Sequence, residues 1–142
     1  MVLGVGNRLR GDDAIGSLVT DELGKFEGLT VIDCATTPEN YIEPVVRLAP
    51  ERILIVDACD FGGKPGEFRL FERDDIERLA AGLLSTHTLP LSMTVALLEQ
   101  QLKTRIQLLG VQPERIDFGE KLSEPVAEST PALVRFITDW AE

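Results

Sequence analysis

Acidic side chains and a single histidine are the residues of this sequence that could do chemistry together. Asp33 and Asp57 each follow a short apolar run typical of a buried strand, the pair Asp12-Asp13 follows the first such run, and His87 is the only histidine. Carboxylates that crowd together repel one another, which raises their pKa values unless a cation neutralises them. One imidazole and two carboxylates would give a metal ion three protein ligands and leave positions open for a substrate.

Each of these residues also has a plainer interpretation. Aspartates at strand ends often cap turns, and one histidine in an acidic protein is more often a satisfied or surface residue. Spacing alone does not decide which two carboxylates would join His87, so the metal site is a hypothesis at this point.

The scaffold that must position these side chains is predicted from hydrophobic patterning. Apolar runs predict strands at residues 2–6, 29–32, 53–56 and 106–111, with an extra edge strand at 68–71. Helical spacing predicts helices at 15–26, after Pro38, from an N-cap at Asp74, from Pro90 to about Lys103, and from Ser123 onward with a kink or break at Pro131.

Continuous apolar runs are typical of strands buried on both faces. The alternation predicts an α/β fold with a mostly parallel sheet of roughly five strands covered by helices. The carboxyl ends of parallel strands share one rim, where ligands bind in such folds.

Composition excludes several classes of protein. A chain of 142 residues fits one domain, here 1–142, and 44% apolar with 27% charged residues is ordinary for a globular protein. A net charge of −10 disfavours nucleic acid and anionic membrane surfaces as partners. Neither a signal-type segment nor a membrane-length apolar run occurs. The two cysteines, Cys34 and Cys59, are interpreted as buried packing thiols. We therefore expect a cytoplasmic protein.

Two other kinds of function remain open on the residues alone. The motif Gly4-Val5-Gly6-Asn7-Arg8-Leu9 offers two glycines of a dinucleotide-binding loop but has Leu9 in place of the third, so a nucleotide-binding enzyme is the weaker alternative. The second function that remains open is that of a non-catalytic metal-sensing or carrier module. Hydrolase-type nucleophilic catalysis lacks support, because no Gly-x-Ser-x-Gly elbow occurs.

Six motifs follow one another along the chain: residues 4–16 (GVGNRLRGDDAIG), 33–40 (DCATTPEN), 53–58 (ILIVDA), 65–67 (PGE), 85–91 (STHTLPL) and 109–113 (LGVQP). Taken together, they resemble the nickel–iron hydrogenase maturation endopeptidases, most closely the hydrogenase 3 (formate-hydrogenlyase) type. These blocks span most of the chain in order.

The resemblance implies a cytoplasmic protease that removes the C-terminal extension of a hydrogenase large-subunit precursor after nickel insertion. It implies a three-layer helix–sheet–helix fold and places the family's metal-binding positions on Asp13, Asp57 and His87. The nickel is expected to arrive with the precursor, either as a recognition element or as a catalytic ion, although another divalent metal could occupy the isolated protein. Asp33 is our candidate for orienting or deprotonating a catalytic water.

Two positions depart from the family pattern. Ala14 stands where the family often has glycine, and Asp33-Cys34-Ala35-Thr36 stands where Asp-Gly-Gly-Thr is usual. Glycine permits positive φ and close backbone approach. We therefore expect the backbone, or the packing of a substrate tail, to differ after the second strand.

Overall fold

The computed structural model describes residues 1–82, 91–119 and 121–142, with the side chains of 80–82 excepted. The described residues form five strands, five α-helices and two 3-10 helices. The strands are β1 (Val2–Gly4), β2 (Val31–Asp33), β3 (Arg52–Ala58), β4 (Phe68–Phe71) and β5 (Arg105–Val111). The α-helices are α1 (Ile15–Leu23), α2 (Ile42–Leu48), α3 (Arg73–Gly82), α4 (Leu91–Gln101) and α5 (Glu124–Ala141), and the 3-10 helices are Gly11–Ala14 and Pro38–Tyr41.

The five strands form one sheet in the order β2-β1-β3-β5-β4. All neighbours pair in parallel except β4, which is antiparallel to β5 at the sheet edge. Gly4 at the end of β1 pairs with Asp33 of β2 on one side and with Val56 of β3 on the other. The first three strands therefore end side by side, which confirms the predicted mostly parallel sheet and its shared rim.

Helices cover both faces of the sheet. One apolar cluster joins Ile53 and Ile55 of β3 to buried residues of α2, α3 and α4. The other joins Leu54 and Val56 to buried residues of α1 and α5. Successive β3 side chains thus alternate between two cores, which explains why the strand is apolar at every position rather than at every second one.

Two sequence predictions about helix ends were wrong, and a third lies outside the described residues. Phe26 lies beyond the end of α1 and is exposed, because the helix ends at Leu23, whose side chain completes the buried stripe. Asp74 lies inside the first turn of α3, which begins at Arg73, so it is not the N-cap. Pro90, the predicted start of α4, falls outside the described residues.

Helix α5 continues through Pro131 without the break that was offered as one outcome. Pro131 cannot donate a backbone hydrogen bond. Pro131 and Ala127, whose carbonyl loses that donor, are both exposed, so water can satisfy the carbonyl. The buried stripe Val126, Leu133 and Ile137 stabilises the helix on both sides of the proline.

None of the helices that the structure describes combines the length and the hydropathy needed to span a lipid bilayer.

Candidate active site

The glycine motif brings the first 3-10 helix onto the rim of the sheet. A Cβ on Gly16 would lie 2.1 Å from the Val5 carbonyl oxygen and 2.3 Å from that of Val56. A Cβ on Gly6 would lie 2.2 Å from the Asp13 carbonyl oxygen. Only glycine fits at these approaches, so the segment carrying Asp12 and Asp13 packs directly against the loop after β1 and against β3.

Asp13 and Asp57, two members of the predicted metal triad, are both deeply buried at this rim. Their residues are 3% and 6% exposed, and Asp13 lies in the 3-10 helix that contacts β3, the strand of Asp57. The Asn7 backbone N–H donates to Asp13 Oδ2 at 3.2 Å. The structure therefore places these two carboxylates on contacting elements, at the end of the sheet where ligands bind in parallel α/β folds.

Asp57 faces a defined side of the sheet. Ile53 and Ile55 point toward the α2–α4 layer, and side chains alternate along a strand, so Asp57 points the same way. Asp57 lies within β3 rather than just after it, because the strand continues to Ala58. Helix α4, which begins at Leu91, covers this same face.

His87, the third member of the predicted triad, falls in the segment 83–90, outside the described residues. Among the residues that the structure does describe, no group of three or more histidine, cysteine, aspartate and glutamate side chains is arranged to hold a metal ion. The triad Asp13, Asp57 and His87 therefore stays a prediction.

Asp12, the neighbour of Asp13, has a structural role. Its fully buried carboxylate accepts hydrogen bonds from the Ser123 N–H and hydroxyl at 2.7 Å each, the Glu114 N–H at 2.8 Å and the Arg115 N–H at 3.2 Å. These contacts join the first 3-10 helix to the loop after β5 and to the start of α5. Adjacent acids in the sequence thus serve different purposes, one for the fold and one at the candidate site.

Asp33 lies at the end of β2 and joins three segments of the chain. Its carboxylate accepts hydrogen bonds from the Ser17 hydroxyl at 2.8 Å, the Ala35 N–H at 2.9 Å and Arg8 Nη2 at 2.9 Å. Ser17 belongs to α1, so Asp33 points to the face of the sheet opposite to that of Asp57. In the described ranges of the chain, Asp33 does not form a metal-binding group with Asp13 and Asp57.

Burial raises the pKa of Asp33, but the hydrogen bonds from Ala35, Ser17 and Arg8 and the Arg8 charge outweigh it and hold the pKa below its ordinary value. A lowered pKa makes a carboxylate a weaker base at neutral pH. These contacts favour a role for Asp33 in holding the rim together. Its predicted catalytic role stays a prediction.

Arg8 is the residue that sequence reasoning missed. Its Nη1 and Nη2 atoms donate to the two carboxylate oxygens of Asp21 at 2.9 Å each. Nη2 also donates to Asp33 Oδ2 at 2.9 Å. No sequence signal identifies this bridge, because its partners lie on α1 and β2, far from Arg8 in the chain.

Five backbone amides of the glycine loop, those of Val5, Gly6, Asn7, Leu9 and Arg10, already donate hydrogen bonds within the protein. Gly6 N–H donates to the Ala35 carbonyl at 2.8 Å, and Asn7 N–H donates to Asp13. A phosphate-binding loop needs such amides for its ligand. The arrangement therefore gives no support to nucleotide binding.

Both cysteines are free thiols and buried, as predicted. Burial, followed by the nearby charges of Asp33 and Glu39, raises the pKa of Cys34 to about 12. Burial, followed by Asp57 and Asp60, raises the pKa of Cys59 to about 12. Neither thiol has the electropositive surroundings of a cysteine nucleophile.

Comparison with known proteins identifies the family of this chain. Residues 15–140 match the HycI family, described as hydrogenase maturation protease. A hydrogenase 3 maturation protease of Escherichia coli K12 is 32% identical over 142 residues, which cover 99% of this chain and 89% of the relative.

Solved structures agree in fold. The crystal structure of a [NiFe] hydrogenase maturation protease HycI from Thermococcus kodakarensis KOD1 has a TM-score of 0.85 and 33% identity, covering 97% of this chain and 88% of that one. The solution structure of an endopeptidase HycI from Escherichia coli has a TM-score of 0.86 and 31% identity, covering 100% and 90%. The resemblance seen in the sequence motifs and the helix–sheet–helix fold are both confirmed, and the chain belongs to the hydrogenase maturation protease family of endopeptidases.

Proposed function

We propose that this endopeptidase removes the C-terminal extension of a nickel–iron hydrogenase large-subunit precursor after nickel insertion, in the cytoplasm. In this proposal Asp13, Asp57 and His87 bind the nickel that the precursor brings, so the metal is part of the substrate. The observation that carries it is the deep burial of Asp13 and Asp57 on contacting elements at the carboxyl rim of the sheet.

The donor chemistry fits such a metal. Carboxylate oxygens and an imidazole nitrogen are suitable ligands for a divalent transition ion. Burying two carboxylates in one region is costly unless a cation or hydrogen bonds compensate them. A nickel ion carried by the precursor would bring a further cation to this region when a loaded substrate binds.

Recognition of the metal would promote cleavage by positioning the precursor tail at the rim. A precursor without nickel offers nothing for the three side chains to bind, so its tail is held poorly at the rim. Correct positioning of reacting groups can contribute as much as ~7–11 kcal/mol to lowering a barrier. The protease would thereby discriminate loaded from unloaded precursor.

The direct test compares nickel-loaded with nickel-free precursor as substrates of the wild-type protein, with cleavage followed by mass spectrometry. We expect the loaded form to lose its C-terminal extension and the unloaded form to stay intact. Equal cleavage of both forms contradicts nickel recognition, and an intact loaded precursor contradicts the proposed function as a whole.

A second test addresses the ligand residues. Asp57→Asn keeps the side-chain shape and removes the charge, and we expect it to lower kcat/KM for loaded precursor by about 100-fold or more. Asp139→Asn on the exposed side of α5 is the matched control and should cleave like wild type. A normal rate for Asp57→Asn would show that Asp57 is not a ligand.

A further inference from the structure

Two large apolar side chains are exposed on neighbouring loops at the carboxyl rim. Leu9 is 60% exposed and Phe118 is 76% exposed. The Leu9 carbonyl accepts a hydrogen bond from the Gly119 N–H at 2.7 Å, so the glycine loop and the loop of residues 113–119 are paired at this point. Side chains of this size are more often buried, and two of them exposed on adjoining loops are typical of a binding surface.

Both loops are held firmly by hydrogen bonds. The Arg115 carbonyl accepts from the Asp12 N–H at 2.9 Å, and the Ile116 carbonyl accepts from Arg10 Nε at 3.3 Å. The buried Asp12 carboxylate also accepts hydrogen bonds from the backbone N–H groups of Glu114 and Arg115. Leu9 and Phe118 are therefore presented to solvent by ordered backbone, which lowers the entropy cost of binding a partner.

The position of the pair relates it to the substrate. Leu9 lies two positions before the start of the 3-10 helix Gly11–Ala14, and that helix carries Asp13. A polypeptide cleaved at the carboxyl rim must pass over the loops around it. The apolar pair is thus continuous with the surface that a protein substrate has to cover.

An acidic groove adjoins the same loop. It has a volume of about 470 Å³ and is lined by Glu114, Arg115, Ser123, Glu124, Pro125 and Glu128. All three glutamates are exposed, and none of them forms an ion pair within the described part of the chain. Glu114 and Arg115 belong to the same loop as Phe118, so this loop contributes to both the groove and the apolar pair.

We propose that Leu9, Phe118 and the groove of Glu114, Glu124 and Glu128 form the docking surface for the precursor polypeptide. Its occupant is a precursor segment in which an apolar side chain lies next to a lysine or arginine, since the apolar pair takes the first and the carboxylates attract the second. This inference rests on the proposed function and adds the surface that recognises the protein part of the substrate, as distinct from its nickel.

The test measures steady-state cleavage and direct binding of nickel-loaded precursor by the double variant Leu9→Ser/Phe118→Ser. A few buried anchor side chains carry most of the binding energy of an interface, so we expect Kd and KM to rise by about 10-fold or more. The value of kcat at saturating precursor should stay within about 2-fold, because the rim carboxylates are untouched. Thermal unfolding midpoints equal to wild type exclude a folding defect.

The chain offers a matched control in the double variant Phe26→Ser/Leu48→Ser. Phe26 is 46% exposed and Leu48 is 58% exposed. Phe26 follows α1 and Leu48 ends α2 just before β3 begins, so both lie toward the opposite end of the sheet. This control should bind and cleave precursor like wild type.

The contribution of the groove carboxylates is tested with the double variant Glu124→Gln/Glu128→Gln. Glu27→Gln, which removes the charge of an exposed glutamate elsewhere, is the control. We expect the groove variant to raise Kd by several-fold at low ionic strength and to lose part of the salt dependence of binding. The control should keep both.

The outcomes separate this inference from the proposed function. Leu9→Ser/Phe118→Ser binding precursor as tightly as wild type overturns the docking surface, even if wild-type cleavage confirms the protease function. A wild-type protein that binds precursor but leaves it intact contradicts the function and still tests the surface through Kd. A wild-type dimer that Leu9→Ser/Phe118→Ser converts to a monomer, with precursor binding unchanged, assigns the surface to a second copy and overturns the proposal.

Discussion

Ser123 donates two hydrogen bonds of 2.7 Å to the carboxylate of Asp12, from its backbone N–H and from its hydroxyl, across 111 residues of sequence. Ser123 is also the N-cap residue of α5, and its side chain makes no capping bond to that helix. Asp12 instead fixes where the helix begins relative to the rim of the sheet. The element that carries Asp13 and the element that covers the sheet are thereby attached to one another.

Asp12→Ala should be strongly destabilising. The change leaves four donors without an acceptor, two of them on the buried Ser123, and we expect the free energy of unfolding to fall by about 3–4 kcal/mol. Urea denaturation measures this loss. Asp117→Asn in the exposed loop nearby should change stability by less than about 0.5 kcal/mol. A similar small loss in Asp12→Ala would show that water replaces the carboxylate.

The adjacent acids Asp12 and Asp13 show where sequence reasoning stops. Their position after the first strand puts both within reach of the rim, and their 3-10 helix contacts β3. Which of them serves the fold depends on the loop after β5 and the start of α5, more than 100 residues away. Local pattern contains no information on that contact, and only the family resemblance separated the two residues.

The strands could be predicted because their signal is local. The apolar run 53–56 gives β3, since a strand buried on both faces needs apolar side chains at every position. The bridge from Arg8 to Asp33 and Asp21 could not be predicted, because long flexible side chains choose partners only after the elements have packed. The end of α1 was missed because Phe26 continues the helical spacing of Leu23 yet lies past the buried stripe.

Two alanines adopt the left-handed conformation, Ala35 with φ +49° and Ala49 with φ +46°. Ala35 occupies a position where glycine is usual in the family motif, so the turn keeps a conformation that suits glycine although the glycine is missing. Ala49 is the C-cap of α2, where glycine is also preferred.

Ala35→Gly and Ala49→Gly should therefore each stabilise the protein. Left-handed backbone costs a residue with a Cβ about 1–2 kcal/mol, and the greater freedom of glycine in the unfolded chain removes about 0.5–1 kcal/mol of that gain. We expect a net increase of about 0.5–1 kcal/mol for each in urea denaturation. Ala127→Gly inside α5 is the control and should lose about 1 kcal/mol. A loss in all three variants would mean that the two turns store no strain.

Acidification should weaken the Asp33 network. In the unfolded chain Asp33 titrates near its ordinary pKa of about 3.9, and in the folded protein its pKa is lower. Between these values the unfolded state binds the proton first, so this contribution to stability is fully present at higher pH and is lost as pH falls through the folded pKa.

Asp33→Asn removes that pH dependence. We expect it to be less stable than wild type near neutral pH, with a difference that shrinks as pH falls below about 4. Urea denaturation of both proteins across this range measures it, and Asp117→Asn serves as the control. If wild type and Asp33→Asn differed in stability by the same amount at every pH, the charge of Asp33 would not be what stabilises the network.

Thiol reagents should react slowly with the folded protein. With pKa values raised to about 12, Cys34 and Cys59 hold far less thiolate at pH 8 than an ordinary cysteine. Alkylation by iodoacetamide should be slower by about 1000-fold than in the urea-unfolded chain, because both the thiolate fraction and access to the sulfur are reduced. Mass spectrometry of timed samples counts the modified residues. Rapid labelling of the native protein at Cys59, two residues after Asp57, would reveal an opening at the rim.

Gln112 organises the loop that follows β3. Its side-chain oxygen accepts from the Phe61 N–H at 2.9 Å and the Gly63 N–H at 3.0 Å, and its Nε2 donates to Asp60 Oδ1 at 3.1 Å. Gln112 itself is buried beyond the end of β5. One side chain thus supplies an acceptor to two loop amides that no strand pairs.

Gln112→Met keeps the volume of the side chain and removes both the acceptor and the donor. We expect hydrogen exchange at the amides of Phe61 and Gly63 to accelerate by about 10-fold or more, since each loses a hydrogen bond contributing about 1 kcal/mol or more. Amides in the centre of β3 should keep their protection, as should all of these amides in the control Gln101→Met at the exposed end of α4. Unchanged exchange at Phe61 and Gly63 would show that the loop is ordered by its own turns, independently of β5.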